Sequence, residues 1–208
     1  MIRPRVVGVA FGTASDGDPR LDDQVRAALS SSLGIASEWA WVRQVHGAVV
    51  IEPGGPGIGE QADAIITTDP DLPIAVSVAD CLPVAPIADE AVGIAHAGWR
   101  GAAEGVVGKT IAALAAGGHD PHTAVIGPGI GPCCFEVGDE VADRFPGNSS
   151  RTTWNTVSVD LPGAVSAELN GLKIEVVGGC THHDNRFHSF RSDGTSHRQF
   201  GVAWIAPD

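Results

Sequence analysis

Three side chains in this sequence combine metal-ligating chemistry with a place at the end of an apolar run: His46 in QVHG, Cys81 in ADCLP and His96 in HAGWRG. Residues that close a strand sit at the rim of a sheet, held by rigid backbone yet open to solvent, where sites are built. Two neutral imidazoles and one thiolate make a suitable Zn2+ set, and three ligands leave a fourth position for water or substrate. Such an ion lowers the pKa of its water towards neutrality. The separations, 35 and then 15 residues, match no zinc-finger spacing. On residue type alone two other accounts stand beside the metal. One is a pair of polar rim histidines around a small buried cysteine. The other is a Cys81 nucleophile with His96 as its base, a hydrolase or amidase, for instance on cell-wall precursors.

Asp80, beside Cys81, is a candidate acid or base, or a residue that orients a histidine; its plainer role is a turn at the strand end. Arg100 stands where the chain leaves a strand and starts a helix, so that backbone N–H groups and a guanidinium together suit an anion. As a surface residue it would simply cover Trp99. Arg43 is a second anion candidate, although strand alternation sets it on the opposite face from His46 unless the strand ends between them. Ser189, Arg191 and Arg198 add oxyanion contacts from the late polar stretch. The segment AEGVVGKT (103–110) imitates a phosphate loop, but Ala103 replaces its first glycine and Val106 and Ile111 carry helix periodicity, so it reads as a helix. GPGIGPCC (127–134) is stiff and lets backbone approach a ligand closely. His182, His183, His188 and His197 show no helical i, i+4 pairing and read as surface histidines.

These groups need elements to hold them. Val6–Phe11, Trp39–Val45, Val49–Ile51, Ala64–Thr67, Ile74–Ala79, Pro83–Ile87, Val92–Ala95, Ala124–Ile126, Ile174–Val177 and Val202–Ile205 read as strands from their short apolar runs between Asp, Pro and Gly. One helix is expected to be capped by Asp18-Pro19 and stopped by Gly34, with Leu21, Val25, Leu29 and Leu33 on one face. A second spans Ala102–Ala116, and a third runs from Asp160 to Asn170-Gly171. Glu52–Gln61 is a surface loop by composition. Strands outnumber helices and often follow one another directly. That predicts an α+β fold, one domain over residues 1–208, with packed mixed β-sheets flanked by helices.

The 208 residues suffice for a sizeable core, and the net charge of −12 argues against nucleic-acid binding, which needs clustered Lys and Arg. The 13 basic residues are scattered along the chain. No run approaches the ~20 apolar residues that cross a bilayer. Four unpatterned cysteines and a short, glycine-broken apolar start suggest reduced thiols and a cytoplasmic location.

Taken in order, QVHG (44–47), ADAIITTDPDLPIAVSVADCLPV (62–84), HAGWRG (96–101), IGPGIGPCCFEVGDEV (126–141) and the ending CT…SFRSDG…R…VAWI resemble the family once labelled multicopper polyphenol oxidoreductase, or "laccase domain". Its members are now read as purine nucleoside phosphorylases that also deaminate adenosine. The resemblance implies that His46, Cys81 and His96 are the metal ligands. It further implies an α+β fold, activity as a monomer, and adenosine, inosine, guanosine or methylthioadenosine as substrates with phosphate. The older label implies copper and polyphenol oxidation, yet the chain lacks the clustered histidines of several copper centres and has one methionine, Met1. Departures are visible. FGTASDGD and DDQVRAAL replace the family's N-terminal motifs, Phe135 and Phe190 stand where tyrosines are usual, and Ser196-His197-Arg198 replaces TGR. With no tyrosine in the chain, no phenol serves as an acid.

Overall fold

The computed structural model of the chain describes residues 1–206; the last two residues of the expected 1–208 domain lie outside the described residues. Within it the first half runs β1 (Val9–Phe11), α1 (Asp23–Leu33), β2 (Ala40–Arg43), β3 (Val50–Ile51), β4 (Gly57–Gln61), β5 (Ala64–Thr67), β6 (Ile74–Val78), β7 (Leu82–Ile87) and β8 (Val92–Ala97). The helices α2 (Trp99–Ala103) and α3 (Val106–Ala116) follow, then β9 (Thr123–Ile126), α4 (Asp139–Ala142), β10 (Ser149–Arg151) and β11 (Val157–Val159). Last come α5 (Leu161–Glu168), β12 (Lys173–Val176), α6 (Phe190–Asp193) and β13 (Gln199–Ala203). The class is α+β with mixed sheets, as the strand-rich sequence predicts.

One sheet has the order β1-β13-β6-β2-β4 and a second β12-β9-β7-β8-β5-β3, while β10 and β11 form a small hairpin. The two large sheets lie face to face. Phe11, Ile74, Val76 and Val78 of the first meet Ile65, Ala85, Ile94 and Val125 of the second in an apolar middle layer. The outer face of the first sheet, with Trp41, Ala75 and Phe200, is covered by Leu29 of α1. The outer face of the second, with Val84 and Ala95, is covered by Val106 and Val107 of α3 and Val165 of α5. Strands covered on both faces need apolar residues at every position, which is why β6, β7 and β8 read as continuous runs rather than alternations. Each fully buried Ile or Leu in these layers contributes about 1.5–3 kcal/mol.

Several boundaries differ from expectation for identifiable reasons. The first helix is capped by Asp22, whose carboxylate accepts from Gln24 N and Val25 N, not by Asp18. Asp18 instead closes a turn by accepting from Arg20 N, leaving Leu21 outside the helix and exposed. The expected helix over 102–116 is two helices, because Gly105 takes a left-handed φ of 76° between them. Thr110, in the false phosphate loop, is fully buried with its hydroxyl on Val106 O. Part of the 52–61 loop is strand β4, an exposed edge paired in parallel with β2. The β10–β11 hairpin and the short helices α4 and α6 carried no periodicity to read.

Candidate metal centre and cavity

The chain passes between the two sheets at the points where the candidate ligands stand. After β6 in the first sheet, only Ala79, Asp80 and Cys81 intervene before β7 begins in the second. After β2 in the first sheet, residues 44–49 carry His46 across to β3 in the second. His96 lies within β8, two residues beyond Ile94 and therefore on the same inward face. The three side chains thus meet at the open end of the middle layer, their ligand atoms all within 4.8 Å of one another. The rings of His46 and His96 stand edge to face, 4.8 Å between centroids.

Such tight crossings require unusual backbone. Among the described residues three non-glycine residues have positive φ, and two of them are His46 (61°) and Asp80 (80°). The conformation costs energy and persists because the surroundings impose it. At His46 the imposing group is Asp63. Its fully buried carboxylate accepts from three successive backbone N–H groups, those of Val45 (3.1 Å), His46 (2.9 Å) and Gly47 (2.7 Å). Its Oδ1 also lies 2.8 Å from His96 Nδ1. A carboxylate there keeps the imidazole proton on Nδ1, which leaves Nε2 with a lone pair to ligate. Just before His46, Gln44 donates from Nε2 to Ser77 O at 2.7 Å and accepts from Ser77 N at 2.9 Å, continuing the β2–β6 pairing with its side chain.

The charges reinforce one another. Burial pushes the Cys81 thiol up, but the His96 charge and hydrogen bonds from His46 and His96 outweigh it and bring its pKa down to about 6. Burial disfavours the His96 imidazolium, yet the Cys81 thiolate and Asp63 raise its pKa to about 9. Asp63 is itself desolvated, but its bonds to His96 and the backbone hold its pKa below the ordinary carboxylate value. One thiolate flanked by two imidazoles suits a divalent d10 ion, and all three residues line the adjoining cavity. They do not make a multicopper centre. Among the described residues the only other group of three or more convergent ligands is Cys133, Cys134, Cys180 and His183, and neither group supplies a cluster of histidines.

The centre lies in the wall of a cavity of about 530 Å3, within the roughly 300–1,000 Å3 usual for small-molecule sites. Arg20, Arg43, Arg100, Arg191 and Arg198 all line it, whereas Asp80 is its one acidic lining residue among the described residues. Basic residues scattered in the sequence are therefore gathered by the fold. Arg43 faces the same hollow as His46 because β2 ends at Arg43, before the two residues could alternate. Arg100 both lines the cavity and stacks on Trp99, 4.3 Å from its ring centre. Arg191 donates to Glu136 O at 2.6 Å and lies over the Phe135 ring.

Two expected site residues are placed otherwise. Asp80 borders the cavity, but one carboxylate oxygen accepts from Thr181 Oγ1 and the other from Arg191 N, both at 2.7 Å. It clasps two loops rather than presenting a free acid. Ser189 is buried, and its hydroxyl caps α6 by accepting from Ser192 N. It is not among the cavity-lining residues, so the structure brings no oxyanion contact from it. Asp63 escaped the sequence reading. Its only signal is a lone carboxylate among alanines at the head of an apolar strand, where a buried charge must find partners.

Fold and site together define an α+β protein with a His–Cys–His set that could hold a metal ion at the mouth of a two-sheet sandwich. Residues 5–206 match the family model described as multi-copper polyphenol oxidoreductase laccase. The chain belongs to that family. It is 36% identical over 212 residues to purine nucleoside phosphorylase ORF3 of Streptomyces griseus, covering 94% of this chain and 86% of the relative. To purine nucleoside phosphorylase YfiH of Escherichia coli K12 it is 31% identical, covering 94% and 85%. The crystal structure of YlmD from Geobacillus stearothermophilus superposes with a TM-score of 0.81 at 27% identity, covering 97% of this chain and 92% of that one. Among the described residues no helix is long and apolar enough to cross a membrane.

Proposed function

We propose that the chain is a purine nucleoside phosphorylase that holds Zn2+ at His46, Cys81 and His96, converts nucleoside and phosphate to free purine and ribose 1-phosphate, and also deaminates adenosine. The observation that carries this reading is the meeting of the metal-ligating set with five of the chain's 13 basic residues around one hollow, in a protein of net charge −12. A local positive field in an acidic chain selects a small anion rather than a polyanion. The names of the relatives supply the nucleoside.

Arg43, Arg100 and Arg191 bind and orient the phosphate dianion, whose oxygen bonds to C1′ as the C1′–N9 bond breaks; its electron pair leaves on the purine, which takes a proton from solvent. Trp99, Phe135 and Phe190 offer flat apolar surfaces for the base. Asp63 holds a proton on Nδ1 of His96, so that Nε2 is the atom that would ligate once an ion displaces its proton, and Asp80 fixes Arg191 and the Thr181 loop. When bound, zinc supplies Lewis acidity and a neutral-pH nucleophile for deamination. Purified protein incubated with adenosine, with and without phosphate, tests the reading. Phosphate-dependent adenine supports phosphorolysis and inosine supports deamination, each absent in Cys81→Ala. Unchanged adenosine refutes both.

One observation favours a second reading. Cys81, His96 and Asp63 fall in the order of a thiol–imidazole–carboxylate relay, with the thiol ionised near neutrality. A cysteine hydrolase would retain turnover in metal-depleted protein and accumulate an acyl-enzyme at Cys81. The convergence of His46 on the same point has no use in that relay and favours the ion.

A further inference from the structure

A second set of soft ligands stands beside the same cavity, and phosphorolysis makes no use of it. Cys133 and Cys134 end the glycine–proline loop that follows β9; Cys180 and His183 belong to the segment after β12. Their four ligand atoms lie within 4.8 Å of one another. Cys133 Sγ and Cys134 Sγ are 3.6 Å apart, Cys134 Sγ is 3.4 Å from His183 Nδ1, and Cys133 Sγ is 3.9 Å from it. An ion held tetrahedrally at ~2.3 Å from sulfur and ~2.0 Å from nitrogen sets its ligands ~3.8 Å apart for sulfur pairs and ~3.5 Å for sulfur with nitrogen. The observed separations straddle those values. The cluster's three cysteines, like Cys81, are free thiols. Gly131 is shaped to the cluster: a Cβ there would lie 3.3 Å from Cys180 Cβ and 3.4 Å from Cys133 Sγ.

From this geometry we infer that Cys133, Cys134, Cys180 and His183 bind a second Zn2+, a structural ion in a closed set of three thiolates and one imidazole. The contrast with the first centre is one of ligand count. Three ligands at His46, Cys81 and His96 leave a direction for substrate, whereas four leave none. Binding displaces the thiol protons, so three thiolates, a neutral imidazole and the dication carry a net charge of −1.

The ion staples two segments otherwise joined sparingly, by a single β-bridge of Gly129 with Cys180 and by Thr181 N donating to Gly129 O at 3.1 Å. Both segments build the cavity wall. Ile130 and Phe135 come from the first, while Thr181 of the second holds Asp80, which in turn holds Arg191. The staple thus positions the phosphate-facing wall without touching substrate.

Metal analysis of the purified full chain, expressed with zinc and passed through a desalting column, tests this without reference to activity. Two zinc ions per chain are expected, with one kept in Cys81→Ser and one kept in Cys133→Ser/Cys180→Ser. In the cobalt-substituted protein, Cys81→Ser should retain three of the four cobalt–sulfur bonds and most of the charge-transfer absorbance. Should the double variant fail to fold, thiol titration of the native wild type decides. Cys133, Cys134 and Cys180 should react with a disulfide reagent only after a chelator is added. A single zinc that disappears in Cys81→Ser, copper in place of the second zinc, or a Cys133–Cys180 disulfide in non-reduced peptides overturns the inference.

Discussion

Replacing Asp63 with asparagine keeps the shape of the side chain but halves its capacity to accept, at a place where four donors converge. Oδ1 faces His96 Nδ1 and His46 N, while Oδ2 faces Val45 N and Gly47 N. An amide has one oxygen. Turned with oxygen towards His96, its NH2 confronts the Val45 and Gly47 N–H groups. Each buried donor so stranded costs about 1–3 kcal/mol, or about 2–6 kcal/mol for the pair. Turned the other way, the NH2 donates to Nδ1 and drives the imidazole proton onto Nε2, the atom the ion requires. One orientation strains the left-handed turn at His46; the other spoils the His96 tautomer. Loss of such an orienting carboxylate typically lowers metal affinity about 10–100-fold, which corresponds to ~1.4–2.7 kcal/mol. Chelator competition on wild type and Asp63→Asn measures it, and the metal-free melting temperature reports the loop. Both proteins carry the same Cys133 cluster, so the difference belongs to the first centre. Affinity within threefold of wild type, in a folded variant, would refute the account of how His96 is held.

Between the Cys81 pKa of about 6 and the His96 pKa of about 9 the metal-free site holds a thiolate and an imidazolium, so each ion bound expels the His96 proton. Zinc affinity in Cys133→Ser/Cys180→Ser should then rise about tenfold from pH 7.5 to about 8.5, measured by competition; a flat profile would contradict the ion pair. Asp63, with its pKa depressed, contributes stability that is present above the ordinary carboxylate range and lost as pH falls through its folded pKa, so metal-free Asp63→Asn should show a shallower acid loss of melting temperature. Gly98→Ala should weaken metal binding while the fold survives, because its Cβ would lie 3.0 Å from Cys81 Sγ and 3.1 Å from His46 Cδ2. Gly101→Ala should instead lower the melting temperature by a cost of about 1–3 kcal/mol, since its Cβ would meet Gly47 O at 2.6 Å, a backbone atom with little room to retreat. Arg100→Ala should raise the KM for phosphate at least ~10-fold with little change in that for adenosine, as expected for a lost charged hydrogen bond of about 1.5–3 kcal/mol.

The three convergent side chains were legible in the sequence because strand ends leave a local mark: His46, Cys81 and His96 each interrupt an apolar run with a side chain of distinct chemistry. The paired sheets were legible for the same reason, since strands buried on both faces advertise themselves. Other features have no local mark. Arg20 and Arg198 reach the cavity only because the first sheet brings the two chain ends together through β1 and β13. Asp63 is defined by its partners across the sandwich, and a carboxylate beside a strand looks the same whether it is solvated or holds four donors. His183 is the surface histidine that the sequence suggests, but its cysteine companions have no local mark, since they stand 49 and more residues before it or just ahead in a polar loop. The divided helix over 99–116 turned on one glycine whose φ the periodicity does not report.

The crossing at Ala79–Cys81 also bears on how the molecule assembles. Because His46 and Cys81 are delivered by connections that join one sheet to the other, while His96 lies within β8, neither sheet folded alone presents the complete set. An ion can be captured by all three side chains only after the layers have docked in register, and once captured it opposes their sliding apart. An ion held there would act as a rivet whose holes line up only in the correctly closed sandwich, so metal retention would double as a report on native layer alignment.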